Sequence, residues 1–158
     1  MKNWKEIRKH LIFNDPQMLD LINNYGDPNI LINFNQSNLF NTLIDSIISQ
    51  QLSTKVARII KSRLFSIEKI DQFTPKFFLD LKFNDMRSCG LSGGKCRYIK
   101  SISEVCFESP DFLNDLISKT DDKIIEELIK LNGVGEWTAQ MFLIFGLNRI
   151  DIFAPKDA

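Results

Sequence analysis

The chain is poor in the residues that build most metal and redox sites. It has one histidine, three cysteines, two tryptophans and two tyrosines among 158 residues. His10 with Cys89, Cys96 and Cys106 at irregular spacing offers no ligand set for zinc. An odd number of scattered cysteines reads as small buried side chains in a reducing compartment. Charge of one sign is also lacking: 20 basic and 20 acidic side chains cancel, which excludes a partner held by overall charge and leaves room for a local basic face. The opening Met1-Lys2-Asn3-Trp4-Lys5-Glu6 has no apolar stretch of the secretory kind. The longest apolar run, residues 141–145, is far too short to span a membrane. No segment alternates with a period of two for long enough to read as a strand. What remains, 44% hydrophobic and 25% charged residues, is the composition of one ordinary globular domain and not of a disordered chain.

What is present is helical patterning almost throughout. Asp15-Pro16 opens a helix that stops near Gly26. Ser37 is placed to cap the next, whose Leu39, Phe40, Leu43, Ile44, Ile47 and Ile48 form a stripe of helical period. Gln50-Gln51-Leu52-Ser53 interrupts it, and Ser53 caps a further helix expected to turn Val56, Ile59, Ile60 and Leu64 inward. Thr74-Pro75, Ser92 and Ser109-Pro110 mark three more starts, and Gly90 closes a short helix begun at Asn84. Thr120-Asp121-Asp122 caps a helix with its acids where the helix dipole favours them. Leu131-Asn132-Gly133-Val134-Gly135 then turns the chain into a last helix, from Glu136 to about Leu147. The expected fold class is all-α.

The two glycines around Val134 make a tight turn whose amides can face a phosphate. Taken alone, that tripeptide is equally a plain helix–helix corner. The run Leu131-Asn132-Gly133-Val134-Gly135-Glu136-Trp137-Thr138-Ala139-Gln140-Met141 resembles the helix-hairpin-helix DNA glycosylases, most closely the 3-methyladenine DNA glycosylase II type of alkylation repair. The resemblance continues through Asp151-Ile152-Phe153-Ala154-Pro155-Lys156-Asp157. Two upstream blocks agree. Ile47-Ile48-Ser49-Gln50-Gln51-Leu52-Ser53-Thr54-Lys55-Val56-Ala57 is similar to the family's I-x-Q-Q-L-S-x-K-x-A segment, and Leu91-Ser92-Gly93-Gly94-Lys95-Cys96-Arg97-Tyr98-Ile99 to its G-L-S-x-x-K-x-x-Y-I segment.

The resemblance implies a single helix-hairpin-helix glycosylase domain over residues 1–158, with the hairpin at 121–147. It implies removal of alkylated purines from double-stranded DNA by base flipping and hydrolysis of the N-glycosidic bond. Asp157 stands at the place of the catalytic carboxylate, where negative charge stabilises the developing sugar cation. Trp137 and Met141 would line the base pocket, because an indole face attracts a cationic alkylated base. Trp137 occupies the position where strand-nicking relatives carry a lysine, so the implied chemistry is monofunctional. Gln51 and Leu52 would fill the gap left by the flipped nucleotide. Lys55, Lys95, Gly133, Val134 and Gly135 would touch the DNA backbone. No cofactor is required. The backbone carbonyls of Ile129, Leu131 and Val134 would hold a structural Na+ or K+ at the hairpin.

The family continues beyond the catalytic Asp with further helices, and this chain stops one residue after Asp157. The expectation is therefore a fold incomplete at its C-terminus, with little activity of its own. The remaining expectations are a monomer with no membrane association, cytoplasmic beside the nucleoid in a bacterium or nuclear in a eukaryote. The rival reading is a non-catalytic or degenerate helix-hairpin-helix DNA-binding module.

Overall fold

The computed structural model describes residues 4–26, 39–149 and 151–155, all helix and turn with no strand among them. The chain divides into two compact units, Met1–Asn33 and Phe34–Ala158. The first pairs α1 (Trp4–Asn14) with α2 (Gln17–Tyr25). The Asp15 carboxylate accepts the Gln17 N–H at 3.0 Å, and Gly26, at φ 72°, ends α2 by donating its N–H to the Ile22 carbonyl. The sequence reading gives no element over α1, although Trp4, Ile7 and Leu11 recur there at helical spacing.

The second unit is built around α3 (Leu39–Ser49), which touches α4 (Thr54–Glu68), α7 (Gly93–Glu108), α8 (Phe112–Asp115) and α10 (Glu136–Met141). Its centrality follows from its sequence. Leu43, Ile44, Ile47 and Ile48 are fully buried and Leu39 nearly so. Each such side chain contributes about 1.5–3 kcal/mol of apolar burial. The Ser37 cap lies outside the described residues.

Helix α4 begins as expected, with the Ser53 hydroxyl accepting the Val56 N–H at 3.4 Å, but its inward face is different. Ala57, Ile60 and Leu64 are buried, while Val56 and Ile59 are 42% and 43% exposed. The spacing 57-60-64 is one face of a 3.6-residue helix, and 56 and 59 fall on its flank. Leu64 lies nearest the centre of that stripe, with small Ala57 and Ile60 on its two edges.

Between α4 and α7 lie α5 (Pro75–Asp80) and α6 (Phe83–Ser88), both packed on α7. Thr74 Oγ1 caps α5 through the Phe77 N–H at 3.2 Å. Phe65, Phe73, Phe77 and Phe78 stack and tilt against one another at ring separations of 4.4–6.1 Å, an aromatic group within the core. Cys89, Cys96 and Cys106 are free and buried, as expected, and burial pushes the Cys106 thiol up to about 11.

Past Ser109-Pro110 the helical turn starts at Phe112, and α8 tightens into a 3-10 turn over Leu116–Ser118. Helix α9 (Asp121–Leu128) starts at Thr120, which takes the cap position in its backbone; its side chain makes no capping bond, contrary to expectation. The last helix, α10, widens into a π-turn over Phe142–Gly146, with the Leu147 N–H reaching the Phe142 carbonyl at 3.0 Å. Asn148, at φ 57°, then stops it in the left-handed conformation that asparagine tolerates. The Arg149 guanidinium ties this exit back to the Ile117 and Lys119 carbonyls at 3.1 and 3.2 Å.

Candidate nucleic-acid interface

Helices α9 and α10 pack on each other, and residues 129–135 join them as the hairpin. Leu131 and Val134 are buried at 8% and 6% exposure and anchor the turn from inside, with the Val134 N–H bonded to the Leu131 carbonyl at 3.1 Å. The two glycines serve different ends. Gly133 sits at φ 85°, and a Cβ there would overlap the Tyr98 ring of α7. Its bareness is needed for folding. Gly135 has no atom within 4 Å of where its Cβ would be, at an ordinary negative φ. Its bareness leaves the backbone open to something outside the chain, at the start of α10 where the first N–H groups have no intrahelical acceptor.

Facing the hairpin is the turn between α3 and α4. Gln51 adopts φ 54°, a left-handed backbone that a residue with a side chain takes only at a cost of about 1–2 kcal/mol. Its side chain is exposed, and Leu52 is 37% exposed. Two tethers hold the turn there. Gln50 Nε2 donates to the Gly133 carbonyl at 3.0 Å and to Thr138 Oγ1 at 2.9 Å. Lys95 Nζ, from the first turn of α7, donates to the carbonyls of Ile48 and Gln50, both at 2.7 Å. Burial lowers the Lys95 pKa from the ordinary lysine value.

Hairpin and turn enclose a cleft of ≈ 870 Å³ lined by Gln50, Gln51, Leu52, Tyr98, Trp137 and the hairpin glycines with Val134, among others. The structure thus gathers Gln51, Leu52, Gly133, Val134, Gly135 and Trp137 into one place from segments more than eighty residues apart in sequence. Trp137 is half-buried in the cleft wall. Met141, one turn further along, is buried at 7% exposure and does not line the cleft. Lys55 is exposed on the first turn of α4. Lys95 is turned inward onto the end of α3 rather than outward. Ile129 is exposed at 49%, at the end of α9. Asp157 lies outside the described residues, as does Lys156. Gln50 and Tyr98 are the site residues that sequence reasoning passed over. Both sit inside the recognised blocks, and only their long-range partners reveal what they do.

A model of the HhH-GPD superfamily base excision DNA repair proteins matches residues 44–158. The chain belongs to this superfamily. Among HhH-GPD relatives, the DNA-3-methyladenine glycosylase 1 of Schizosaccharomyces pombe is 34% identical over 99% of this chain and 63% of its own length. The DNA-3-methyladenine glycosylase of Saccharomyces cerevisiae is 31% identical over 94% of this chain and 54% of its own. The chain therefore spans little more than half to about two thirds of these curated relatives. The solved structure of the S. pombe 3-methyladenine DNA glycosylase in complex with abasic DNA superposes with a TM-score of 0.81 at 32% identity, covering 94% of this chain and 73% of that one. A DNA-3-methyladenine glycosidase from Bacillus halodurans gives a TM-score of 0.75 at 29% identity, covering 94% and 67%. The all-α HhH-GPD glycosylase fold expected from the sequence is thereby shown. Among the described residues no helix is long and apolar enough to cross a membrane, and no cluster of His, Cys, Asp and Glu is placed to hold a metal ion.

Proposed function

We propose that this chain carries the DNA-gripping face and base-pocket wall of a monofunctional DNA glycosylase that removes alkylated purines of the 3-methyladenine type. The observation that carries the reading is the single cleft in which the hairpin, the Gln51–Leu52 tips and Trp137 meet. Each part answers a step of base excision. Backbone at Gly135, bare and open, accepts a phosphate without reading sequence. Gln51 and Leu52, held out on a strained turn, fill the gap in the stack when a nucleotide is extruded. The half-buried indole of Trp137 offers a π-face to a cationic base and, unlike a lysine, forms no Schiff base. Asp157 supplies the negative charge that stabilises the sugar cation as the N-glycosidic bond breaks, and it positions the water that completes hydrolysis. The substrate is double-stranded DNA, and the protein acts as a monomer without membrane association, in the nucleoid-bearing cytoplasm or the nucleus.

The uncharged carbonyls of Ile129, Leu131 and Val134 would be hard oxygen donors suited to Na+ or K+, with none of the thiolate or imidazole ligands that zinc or copper prefers. The Leu131 carbonyl accepts the Val134 N–H, so a second lone pair is what it would offer an ion. Such an ion would hold the hairpin's orientation. The chemistry stays with Asp157.

The test is release of methylated purines from alkylated duplex DNA by the protein made from its full reading frame. Asp157→Asn should lower the single-turnover rate by orders of magnitude and leave binding to damaged DNA largely intact. Unchanged release would remove Asp157 from the reaction. A non-catalytic DNA-binding module would share the hairpin, but it would have no use for an aromatic wall beside the Gln51–Leu52 tips. No release by either protein, with duplex binding kept, would favour that module.

A further inference from the structure

Gln50 joins the two working parts of the cleft. Its side-chain amide gives both of its N–H groups to the hairpin side, one to the Gly133 carbonyl and one to the Thr138 hydroxyl at the start of α10. Its own backbone carbonyl receives the Lys95 ammonium, which also holds Ile48. The residue immediately after it is the strained Gln51. One side chain therefore fixes the distance between the protruding turn and the hairpin, across 83 residues of sequence.

We propose that Gln50 is a positioning residue that locks the Gln51–Leu52 turn to the hairpin, so that a wedge in the base stack and a grip on the backbone engage one duplex at a fixed spacing. The functional half of this inference rests on the DNA-glycosylase reading above. Two contacts made on the same rigid ligand strengthen each other only when their separation is held. A residue that holds them contributes to discrimination between a duplex with a gap and one without. It contributes little to backbone affinity, which the hairpin supplies alone.

The experiment compares this 158-residue chain with Gln50→Met, which keeps length and loses both donors, and with Thr138→Val and Thr138→Ser. Each variant is first shown to be folded by its thermal transition. Binding is measured by fluorescence anisotropy on a duplex carrying a tetrahydrofuran abasic site and on the same duplex undamaged. Losing two hydrogen bonds of ordinary strength should cut the preference for the abasic duplex by roughly tenfold in Gln50→Met, with undamaged-duplex affinity falling by much less. Thr138→Val should show a smaller loss, and Thr138→Ser, which keeps the hydroxyl, should retain the preference. A folded Gln50→Met with the parent's preference would overturn the functional half.

Amide hydrogen exchange without DNA decides the coupling separately. Residues 50–53 and 131–135 should lose protection together in Gln50→Met while the core of α7 keeps its own. Unchanged hairpin protection would overturn the coupling. If the parent chain shows no preference for the abasic duplex, the functional half is overturned, while the DNA-glycosylase reading is decided by base release from the full reading frame, and the exchange result still decides the coupling.

Discussion

The two turns that line the cleft each contain one residue in the left-handed conformation, and they have solved the same backbone problem in opposite ways. In the hairpin the position is Gly133, at φ 85°, where a side chain is excluded because the Tyr98 ring fills the space a Cβ would need. In the α3–α4 turn it is Gln51, at φ 54°, with its side chain exposed to the cleft. Packing dictates the first conformation and leaves it essentially unstrained. The second is strained and persists because hydrogen bonds from Gln50 and Lys95 hold the residues on its N-terminal side. A turn that offers its backbone to a ligand can be glycine. A turn that offers a side chain must carry one, and neighbouring residues must hold it in place.

The sharpest way to break this contrast is Gly133→Ala. A methyl group there meets both a disfavoured φ and the Tyr98 ring, so the expected loss is about 2–5 kcal/mol of unfolding free energy, read from urea denaturation. Pairing it with Tyr98→Ala should recover part of that loss, because the ring is one of the two causes. A single substitution that costs nothing would mean the hairpin is set by its own sequence and not by α7.

Lys95→Met tests the other turn's support. Two carbonyls at the end of α3 lose a charged donor, and about 2 kcal/mol of stability should go with it. The parent should also show a pH signature. The folded-state pKa of Lys95 lies below its unfolded value, so between the two the unfolded chain binds more protons. Stability attributable to this group therefore rises as pH climbs from below the lowered pKa toward the ordinary lysine value. The rising contribution should be missing in Lys95→Met, whose slope over this window is then lower than the parent's, while the buried thiols, with raised pKa values and the opposite slope, act alike in both proteins. The same slope in both proteins would assign it to another group.

The features legible in the sequence were those that act within one turn of helix. Ser53, Thr74 and Ser92 cap their helices through an N–H three residues on, and all three were readable. So was the α3 stripe, because six large apolar side chains define its face without ambiguity. On α4 the apolar residues outnumber one face, and the large side chains alone point Val56 and Ile59 inward, where the small Ala57 is buried instead. Lys95 at a helix start looked like a phosphate contact because its carbonyl partners, Ile48 and Gln50, lie more than forty residues back. The tether from Gln50 spans 83 residues and leaves no periodic trace at all. Membership of a family located the site, but which residues hold it together could be read only from the packed structure.

Gly135→Leu sharpens the comparison from the hairpin side. Space is open at that Cβ and the backbone φ is ordinary, so thermal stability should stay within about 0.5 kcal/mol of the parent. Duplex affinity should fall by roughly tenfold, to the same degree for damaged and undamaged DNA, because a phosphate contact carries no information about the base. Selective loss for damaged DNA would move Gly135 from the backbone grip to the base pocket.

Gln51→Gly is expected not to lower stability, and the sign of its effect is the informative part. Glycine removes the strain of φ 54°, a relief of about 1–2 kcal/mol. It also widens the conformational freedom of the unfolded chain, which takes back up to about 1 kcal/mol. The net expectation lies between no change and a gain of about 2 kcal/mol. The same substitution removes the side chain that would enter the gap in the stack, leaving Leu52 alone at 37% exposure to do so. Preference for an abasic-site duplex should therefore fall while the unfolding midpoint holds or rises. Opposite movement of the two quantities is what a residue kept strained for binding must show. If both fall together, Gln51 is holding the turn through contacts of its own, and the contrast with Gly133 reduces to two ways of packing a corner.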